Sequence, residues 1–228
     1  NNPAAVVQAN PTAGFSIITY TGTGANGTIA HGLGAVPKLM IFKNRTSGTT
    51  DDWVIYHGAN TAAPATDHLH LNNTLNTADD ATYFNDTEPT SSVFTIGTHV
   101  GINTDAEKYV AYVFAEIEGY SKFGGYVGNE SSDGKFVWTG FRPAFLICKI
   151  TDGGTTAHWA IFDNKRETSN VNDNVIFVSG SGAENSAVND RSVDFLSNGF
   201  KLRSSAFRIN GSGDNHIYIA FAEAPFKY

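Results

Sequence analysis

Short hydrophobic runs alternate with polar stretches along most of the chain. Val110, Tyr112 and Phe114 share one face of an alternating segment, and HIYIAFAE repeats this alternation close to the end of the sequence. Similar runs, rich in β-branched and aromatic residues, are FSIITY, KLMIFK, WVIYH, FLICKI, WAIF and GFKLR. Sustained helical spacing is missing from every window longer than about ten residues. The pattern predicts an all-β protein built from short strands.

The strand-like runs occur twice, at a constant separation. Pro37 aligns with Pro143, an offset of 143 − 37 = 106, and the same offset pairs Trp53 with Trp159. The sequence PKLMIFKNRTSGTTDDWVIYH therefore corresponds to PAFLICKITDGGTTAHWAIFD. After one additional residue, the two FAE triplets also correspond. So many matches at one register indicate a tandem duplication.

Each copy is long enough to form a β-sandwich of its own. We expect a connector at 1–14, a first jelly-roll-like β-sandwich lobe at 15–119 and a second lobe at 120–228. A single sandwich shared by both halves is the alternative. TSGTT (46–50) and TDGGTT (151–156) lie at equivalent places between two strands and predict hairpin loops.

Composition narrows the classes of partner. The net charge is −7, and only 16% of residues are charged, which argues against a nucleic-acid partner because no basic patch is present. The longest apolar runs fall short of a membrane span, so we predict no membrane insertion.

The single cysteine, Cys148, lies within AFLICKI and is interpreted as a core residue. Trp53 and Trp159 begin equivalent strands and are interpreted as core anchors.

Several segments resemble those of a known group of proteins. They include AGFSIITYTGTGANGTIAHGLGAVPKLMIFK, YVAYVFAEIEGYSKFGGYVGN, TGFRPAFLICKI and FAEAPFKY. In their sequences and in their order along the chain, these segments resemble the C-terminal regions of bacteriophage tail-fibre and other virion structural proteins, especially those of marine and cyanobacterial phages. The resemblance implies a location on the virion surface, as a tail or head appendage, and contacts with other virion proteins. It implies no catalytic residues.

Three functions are compatible with these features. We expect a non-enzymatic appendage module that contacts a host-surface glycan or protein. A capsid or tail decoration or assembly protein without host binding is the alternative. A polysaccharide depolymerase ranks third, because glycosidases need two carboxylates across a cleft and the sequence does not place such a pair. Fibre modules of this kind close around an axis, which hides strand edges, so we expect a homotrimer.

Two histidines are the candidate metal ligands. In the strand HLHL, His68 and His70 are expected to point outward while Leu69 and Leu71 face the core. Imidazoles at i and i+2 can share a metal, and three such pairs would surround the axis of a trimer. An ordinary surface strand is the preferred interpretation, and the metal site is the alternative. No cofactor is predicted apart from this axial metal. The sequences TDGGTT and NGSGDN carry oxygen ligands that could hold calcium, but neither has the ligand spacing of a defined calcium loop.

Trp138 is the candidate contact residue for a glycan or partner. It aligns with Gly32, so the indole is specific to the second copy. Together with Phe141 and Arg142 in WTGFRP, it is expected to form an exposed stacking patch for a sugar ring or for the neighbouring lobe.

Overall fold

The computed structural model describes residues 2–46, 52–153, 157–185 and 191–224. These described residues form seventeen strands and three helices of four residues each. None of the helices in the described ranges is long and apolar enough to cross a membrane. The prediction of an all-β fold is confirmed, and the architecture is of the sandwich type.

Two compact units make up the chain. The first comprises Asn1–Leu71 and Thr77–Glu116, and the second comprises Asn72–Asn76 and Ile117–Tyr228. In the first unit a seven-stranded sheet has the order β1-β2-β9-β4-β5-β6-β7, and β3 pairs with β8 in a second sheet. The elements of this unit are β1 (Ala5–Asn10), β2 (Phe15–Thr21), β3 (Gly27–Ala30), β4 (Leu39–Asn44), β5 (Val54–His57), β6 (Asp67–His70), β7 (Ala78–Asp79), α1 (Ala81–Phe84), β8 (Val93–Ile96), α2 (Val100–Asn103) and β9 (Lys108–Phe114).

The second unit also contains two sheets. One has the order β10-β17-β12-β13-β14, and the other has the order β11-β16-β15. The elements of this unit are β10 (Ser121–Val127), β11 (Phe136–Trp138), β12 (Pro143–Ile150), β13 (Ala160–Asp163), β14 (Ile176–Phe177), β15 (Val193–Leu196), β16 (Gly199–Leu202), α3 (Phe207–Asn210) and β17 (Asn215–Ala222).

The sequence duplication is also a duplication of topology. The order β2-β9-β4-β5-β6 corresponds strand for strand to β10-β17-β12-β13-β14, and the pair β3-β8 corresponds to β11-β16. β2 and β10 begin 121 − 15 = 106 residues apart, and β9 and β17 begin 215 − 108 = 107 residues apart. The two predicted hairpins are antiparallel pairs, β4 with β5 and β12 with β13. Residues 47–50 and 154–156 of their loops lie outside the described residues.

The expected connector contributes a strand to the first unit. β1 pairs with β2 in an antiparallel register that runs from Ala5 opposite Tyr20 to Asn10 opposite Phe15. All six of its residues are exposed. Among the described residues of the second unit, no strand takes the equivalent place beside β10.

A hydrophobic core in each unit joins its two sheets. Ile18 and Phe42 of the large sheet and Phe94 of β8 belong to one buried cluster in the first unit. In the second unit, the core cluster includes Cys148, which is fully buried as predicted. Burial raises the pKa of its thiol to about 12, which keeps the sulfur protonated and unreactive.

The two equivalent tryptophans differ in burial. Trp159 is 1% exposed, so the interpretation of this residue as a core anchor is confirmed. Trp53 is only partly buried, and its ring stacks against that of Tyr112 at a centroid distance of 6.4 Å.

A buried asparagine ties two loops together in the first unit. Asn103 is fully buried at the end of α2. Its Oδ1 accepts a hydrogen bond from the Thr23 N–H at 2.8 Å, and its Nδ2 donates to the carbonyls of Ala25 at 2.8 Å and Gly97 at 2.6 Å. We call this arrangement the amide cross-link.

The second unit repeats the amide cross-link at Asn210. Its Oδ1 accepts from the Asn129 N–H at 3.0 Å, and its Nδ2 donates to the carbonyls of Ser131 at 2.9 Å and Ser204 at 2.8 Å. All four residues lie 106 or 107 positions after their counterparts in the first unit. The duplication therefore extends to individual hydrogen bonds, although the partner residues differ.

Candidate functional site

A cavity of about 350 Å³ in the second unit is the candidate functional site. It contains two of the three predicted contact residues, Phe141 and Arg142. Its other lining residues include Gly140, Ser197, Glu223 and Ala224.

The ends of two paired strands place the charged groups of this cavity. Arg142 immediately precedes β12, and Glu223 immediately follows β17. Since Pro143 lies opposite Ala222 in the antiparallel pair, the two flanking residues leave the sheet together. The Glu223 N–H donates to the Arg142 carbonyl at 2.9 Å, and Arg142 Nε lies 3.2 Å from Glu223 Oε2. The backbone therefore fixes the position of the ion pair.

A third polar residue holds the carboxylate of Glu223. Asn164 is 7% exposed, and its Nδ2 donates to Glu223 Oε1 at 2.9 Å. Both oxygens of the carboxylate thus have a partner. The side chain of Arg142 is 42% exposed, so the ion pair adds little to stability. Within the described ranges, its terminal nitrogens Nη1 and Nη2 have no protein acceptor.

Trp138 lies beside the cavity with its ring open to solvent. The residue is 59% exposed, as expected for a contact residue. A Cβ placed on Gly140 would lie 3.1 Å from Trp138 Cζ2, so the indole packs against the glycine that lines the cavity. Lys122 Nζ lies 5.9 Å from the centroid of the indole, within range of a cation–π interaction.

Phe141 does not belong to an exposed patch, and the prediction was wrong on this point. It is 7% exposed and packs into the core of the second unit. Gly140 has a φ of +87°, and the Thr139 hydroxyl donates to the Phe141 carbonyl at 2.6 Å. This turn changes the direction of the backbone between Trp138 and Phe141. The Trp138 ring therefore faces solvent, whereas the Phe141 ring packs in the core and lines the cavity from that side.

The first unit shows that the fold does not need these side chains. At the offset of 106, the residues Trp138, Phe141 and Arg142 align with Gly32, Ala35 and Val36. The corresponding strands form in both units. These three side chains are therefore specific to the second unit and are not part of the scaffold that both units share.

The expectation that both histidines of HLHL point outward is wrong for His68. It is 8% exposed, and its ring stacks on that of Tyr83 at a centroid distance of 3.8 Å. Tyr83 belongs to α1, a helix too short to leave a periodic signature in the sequence. The pKa of His68 is lowered to about 4, first by burial and then by the neighbouring His70. Among the described residues, its Nδ1 has no hydrogen-bond partner.

His70 lies at the rim of a second cavity, of about 190 Å³, in the first unit. Its Nδ1 pairs with the carboxylate of Asp52, and its Nε2 lies 3.5 Å from the Tyr83 hydroxyl. His99 stacks on the other face of Tyr83 at 3.8 Å. Over the described ranges, no group of three or more His, Cys, Asp or Glu side chains could hold a metal ion. A site shared between the chains of a trimer stays a prediction.

A further buried histidine lies in the second unit. His216 is 1% exposed and stacks on Tyr126 at 4.9 Å. Neither ring nitrogen has a hydrogen-bond partner in the described part of the chain, and burial lowers its pKa to about 4. Tyr109 occupies the equivalent position in the first unit, where its hydroxyl donates to the Val100 carbonyl at 2.8 Å.

The two oxygen-rich loops considered for calcium lie next to each other. The Asn215 N–H donates to Asp152 Oδ1 at 2.7 Å, and the Thr151 N–H donates to the Asn215 carbonyl at 2.9 Å. The carboxylate of Asp152 is therefore engaged with the protein. Residues 154–156 of TDGGTT lie outside the described residues.

Comparison with known proteins identified one family. A family model described as a domain of unknown function (DUF7483) matches residues 2–225. No curated protein and no solved structure matched the chain.

Proposed function

The chain belongs to the DUF7483 family of domains of unknown function, and we propose that it is a non-enzymatic structural module of a phage virion whose second unit binds a host-surface glycan. The resemblance of its segments to tail-fibre and other virion structural proteins supports the location. The cavity beside Trp138 supports the binding activity.

Trp138 is the observation that carries the glycan proposal. Tryptophan is enriched at binding interfaces, because its ring is apolar and its N–H can donate a hydrogen bond. The flat indole offers a stacking surface for the apolar face of a pyranose ring. Beside it, Arg142 supplies hydrogen-bond donors and Glu223 supplies acceptors, the two kinds of group that sugar hydroxyls need. A cavity with a few convergent polar groups is typical of a small-ligand site.

The cavity favours binding over hydrolysis. Glycosidases use two carboxylates that flank the scissile bond, roughly 5–10 Å apart. Glu223 is the only acidic residue among the described residues that line the cavity. Its two oxygens are engaged with Asn164 and Arg142, which makes it a fixed acceptor.

The proposal can be tested by screening the protein against glycans extracted from host envelopes and measuring affinity by calorimetry. Trp138→Ala should weaken binding at least about tenfold, the loss expected for one stacking contact. Phe207→Ala is the matched control, because Phe207 is a 37% exposed aromatic residue of the same unit that does not line the cavity. Unchanged affinity in the Trp138 variant, or no binding of any glycan, would refute the proposal.

A second candidate function, attachment to another virion protein, is favoured by the exposed strand β1. Val6 is 72% exposed, and Val7 and Ile17 are 38% and 39% exposed. Val6 and Val7 lie on the edge strand β1 of the large sheet, and Ile17 lies on the neighbouring strand β2. A concave surface of about 540 Å³ at these two strands is lined by Gln8, Asn10 and Phe15 among others. Apolar edge strands favour pairing with another chain. A decoration protein would use this surface, and so would the homotrimer that we expect.

A further inference from the structure

We propose that the glycan recognised beside Trp138 carries an acidic sugar, whose carboxylate is bound by the guanidinium of Arg142. This inference rests on the proposed glycan-binding function and adds the chemical class of the ligand to it.

Arg142 is held in place while keeping donors available. Its Nε lies 3.2 Å from Glu223 Oε2, and Glu223 is fixed in turn by Asn164 and by the backbone of Arg142. Across the described part of the chain, Nη1 and Nη2 have no protein acceptor, although Arg142 lines the cavity. A guanidinium binds a carboxylate through two parallel N–H groups, a geometry that a neutral hydroxyl cannot match.

Lys122 is a second cationic side chain beside the indole. Its Nζ lies 5.9 Å from the centroid of the Trp138 ring. Glu223 is the only acid among the described residues that line the cavity. Cationic side chains next to a stacking surface favour an anionic ligand over a neutral one.

The duplication provides an internal comparison for this charge. Glu116 of the first copy aligns with Glu223, so the acid is common to both copies. The cations and the indole are not, because Lys122, Trp138 and Arg142 align with Ser16, Gly32 and Val36. The three side chains that would contact an anionic sugar thus occur together in one copy. A site for neutral sugars would need the indole but not the two cations.

The test compares acidic oligosaccharides with neutral forms of the same chain. Suitable probes are hexamers of galacturonic acid, of hyaluronan and of sialic acid, each paired with its carboxyl-reduced counterpart. Affinity is measured by calorimetry on the intact protein at low and high salt. At least one acidic hexamer should bind about tenfold or more tightly than its reduced form, and added salt should reduce this difference.

Variants assign the preference to one residue. Arg142→Gln should lower the affinity for the acidic hexamer to that of the reduced form, and Arg142→Lys should restore part of it. Arg203→Gln removes one cation from the same unit at a site where it pairs with Asp133 and Asp194, so it is the matched control and should change nothing. Thermal unfolding of each variant checks that the fold is retained.

The outcomes separate the two proposals. Equal affinity for acidic and reduced hexamers, or an Arg142→Gln variant that keeps the preference, overturns the acidic-sugar inference and leaves glycan binding intact. Failure of every acidic and neutral probe, including the host extracts, overturns the glycan proposal and this inference with it.

Discussion

Replacing Asn210 by alanine should destabilise the second unit strongly. The substitution removes the three hydrogen bonds of the amide cross-link at 3.0, 2.9 and 2.8 Å. Each hydrogen bond contributes about 1 kcal/mol net, and the partner groups left unsatisfied in the interior add to the loss. We therefore expect the free energy of unfolding to fall by about 3 kcal/mol. Asn103→Ala should destabilise the first unit by a similar amount, because it removes the same three kinds of bond.

Asn210→Asp tests the geometry rather than the presence of a polar group. The carboxylate still accepts from the Asn129 N–H, but it places an oxygen against the carbonyls of Ser131 and Ser204, to which the amide donated. Burying this charge without a donor costs at least as much as deleting the side chain. Asn210→Asp should therefore be no more stable than Asn210→Ala at neutral pH.

Urea unfolding followed by tryptophan fluorescence measures these changes. In a Trp53→Phe background the signal comes from Trp138 and Trp159, both in the second unit. Asn129→Ala is the matched control, because its exposed side chain accepts a local hydrogen bond from the Ser131 N–H at 3.3 Å and takes no part in the amide cross-link, which uses the Asn129 backbone. A loss below about 1 kcal/mol for Asn210→Ala, or an equal loss for the control, would refute the reasoning.

Three other expectations concern the core, the pH dependence and the assembly. Trp159→Ala should cost about 3–5 kcal/mol in urea unfolding, since the indole is 1% exposed, and a change below about 1 kcal/mol would show that it is not a core anchor. Burial lowers the pKa of His68 and of His216 to about 4, so the unfolded chain binds these protons more readily. The free energy of unfolding should keep its full value above about pH 6.5 and fall towards pH 4, by up to about 3 kcal/mol for each histidine. His216→Tyr should reduce this fall in the second unit. A urea midpoint that stays constant over this pH range would contradict the assignment. Light scattering should give three times the chain mass of 24.4 kDa, and a monomer at micromolar concentration would exclude the homotrimer.

The sequence repeat predicted the strands common to both units well, because the repeated residues are those that both copies need for these strands. Alternating runs gave the strands, and the constant offset placed them in equivalent order in the two units. The amide cross-link was not predicted, although Ile102-Asn103 and Ile209-Asn210 align. A buried asparagine cannot be distinguished from an exposed one by alternation, since its partners lie up to about 80 residues away in the chain.

The sites could be predicted only in part, because burial depends on elements that leave little signal in the sequence. His68 was expected to face solvent, but the four-residue helix α1 covers it. Phe141 was grouped with Trp138, but the positive φ of Gly140 separates their directions. Glu223 lies in the cavity because β17, which it follows, pairs with β12, which Arg142 precedes. No local sequence pattern shows this pairing.

The pairing of β2 with β9, and of β10 with β17, has a consequence for how the chain folds. Phe15 of β2 lies opposite Phe114 of β9, and Ser121 of β10 lies opposite Phe221 of β17, so each unit closes over nearly its whole length. Contacts of this range make folding slow, on the millisecond to second scale for β-sandwiches. β17 resembles β9 and follows it by 107 residues, a delay of about 5–20 s at ordinary rates of translation. The first unit therefore has time to close on β9 before a similar closing strand exists, and the order of synthesis protects the tandem copies from exchanging strands.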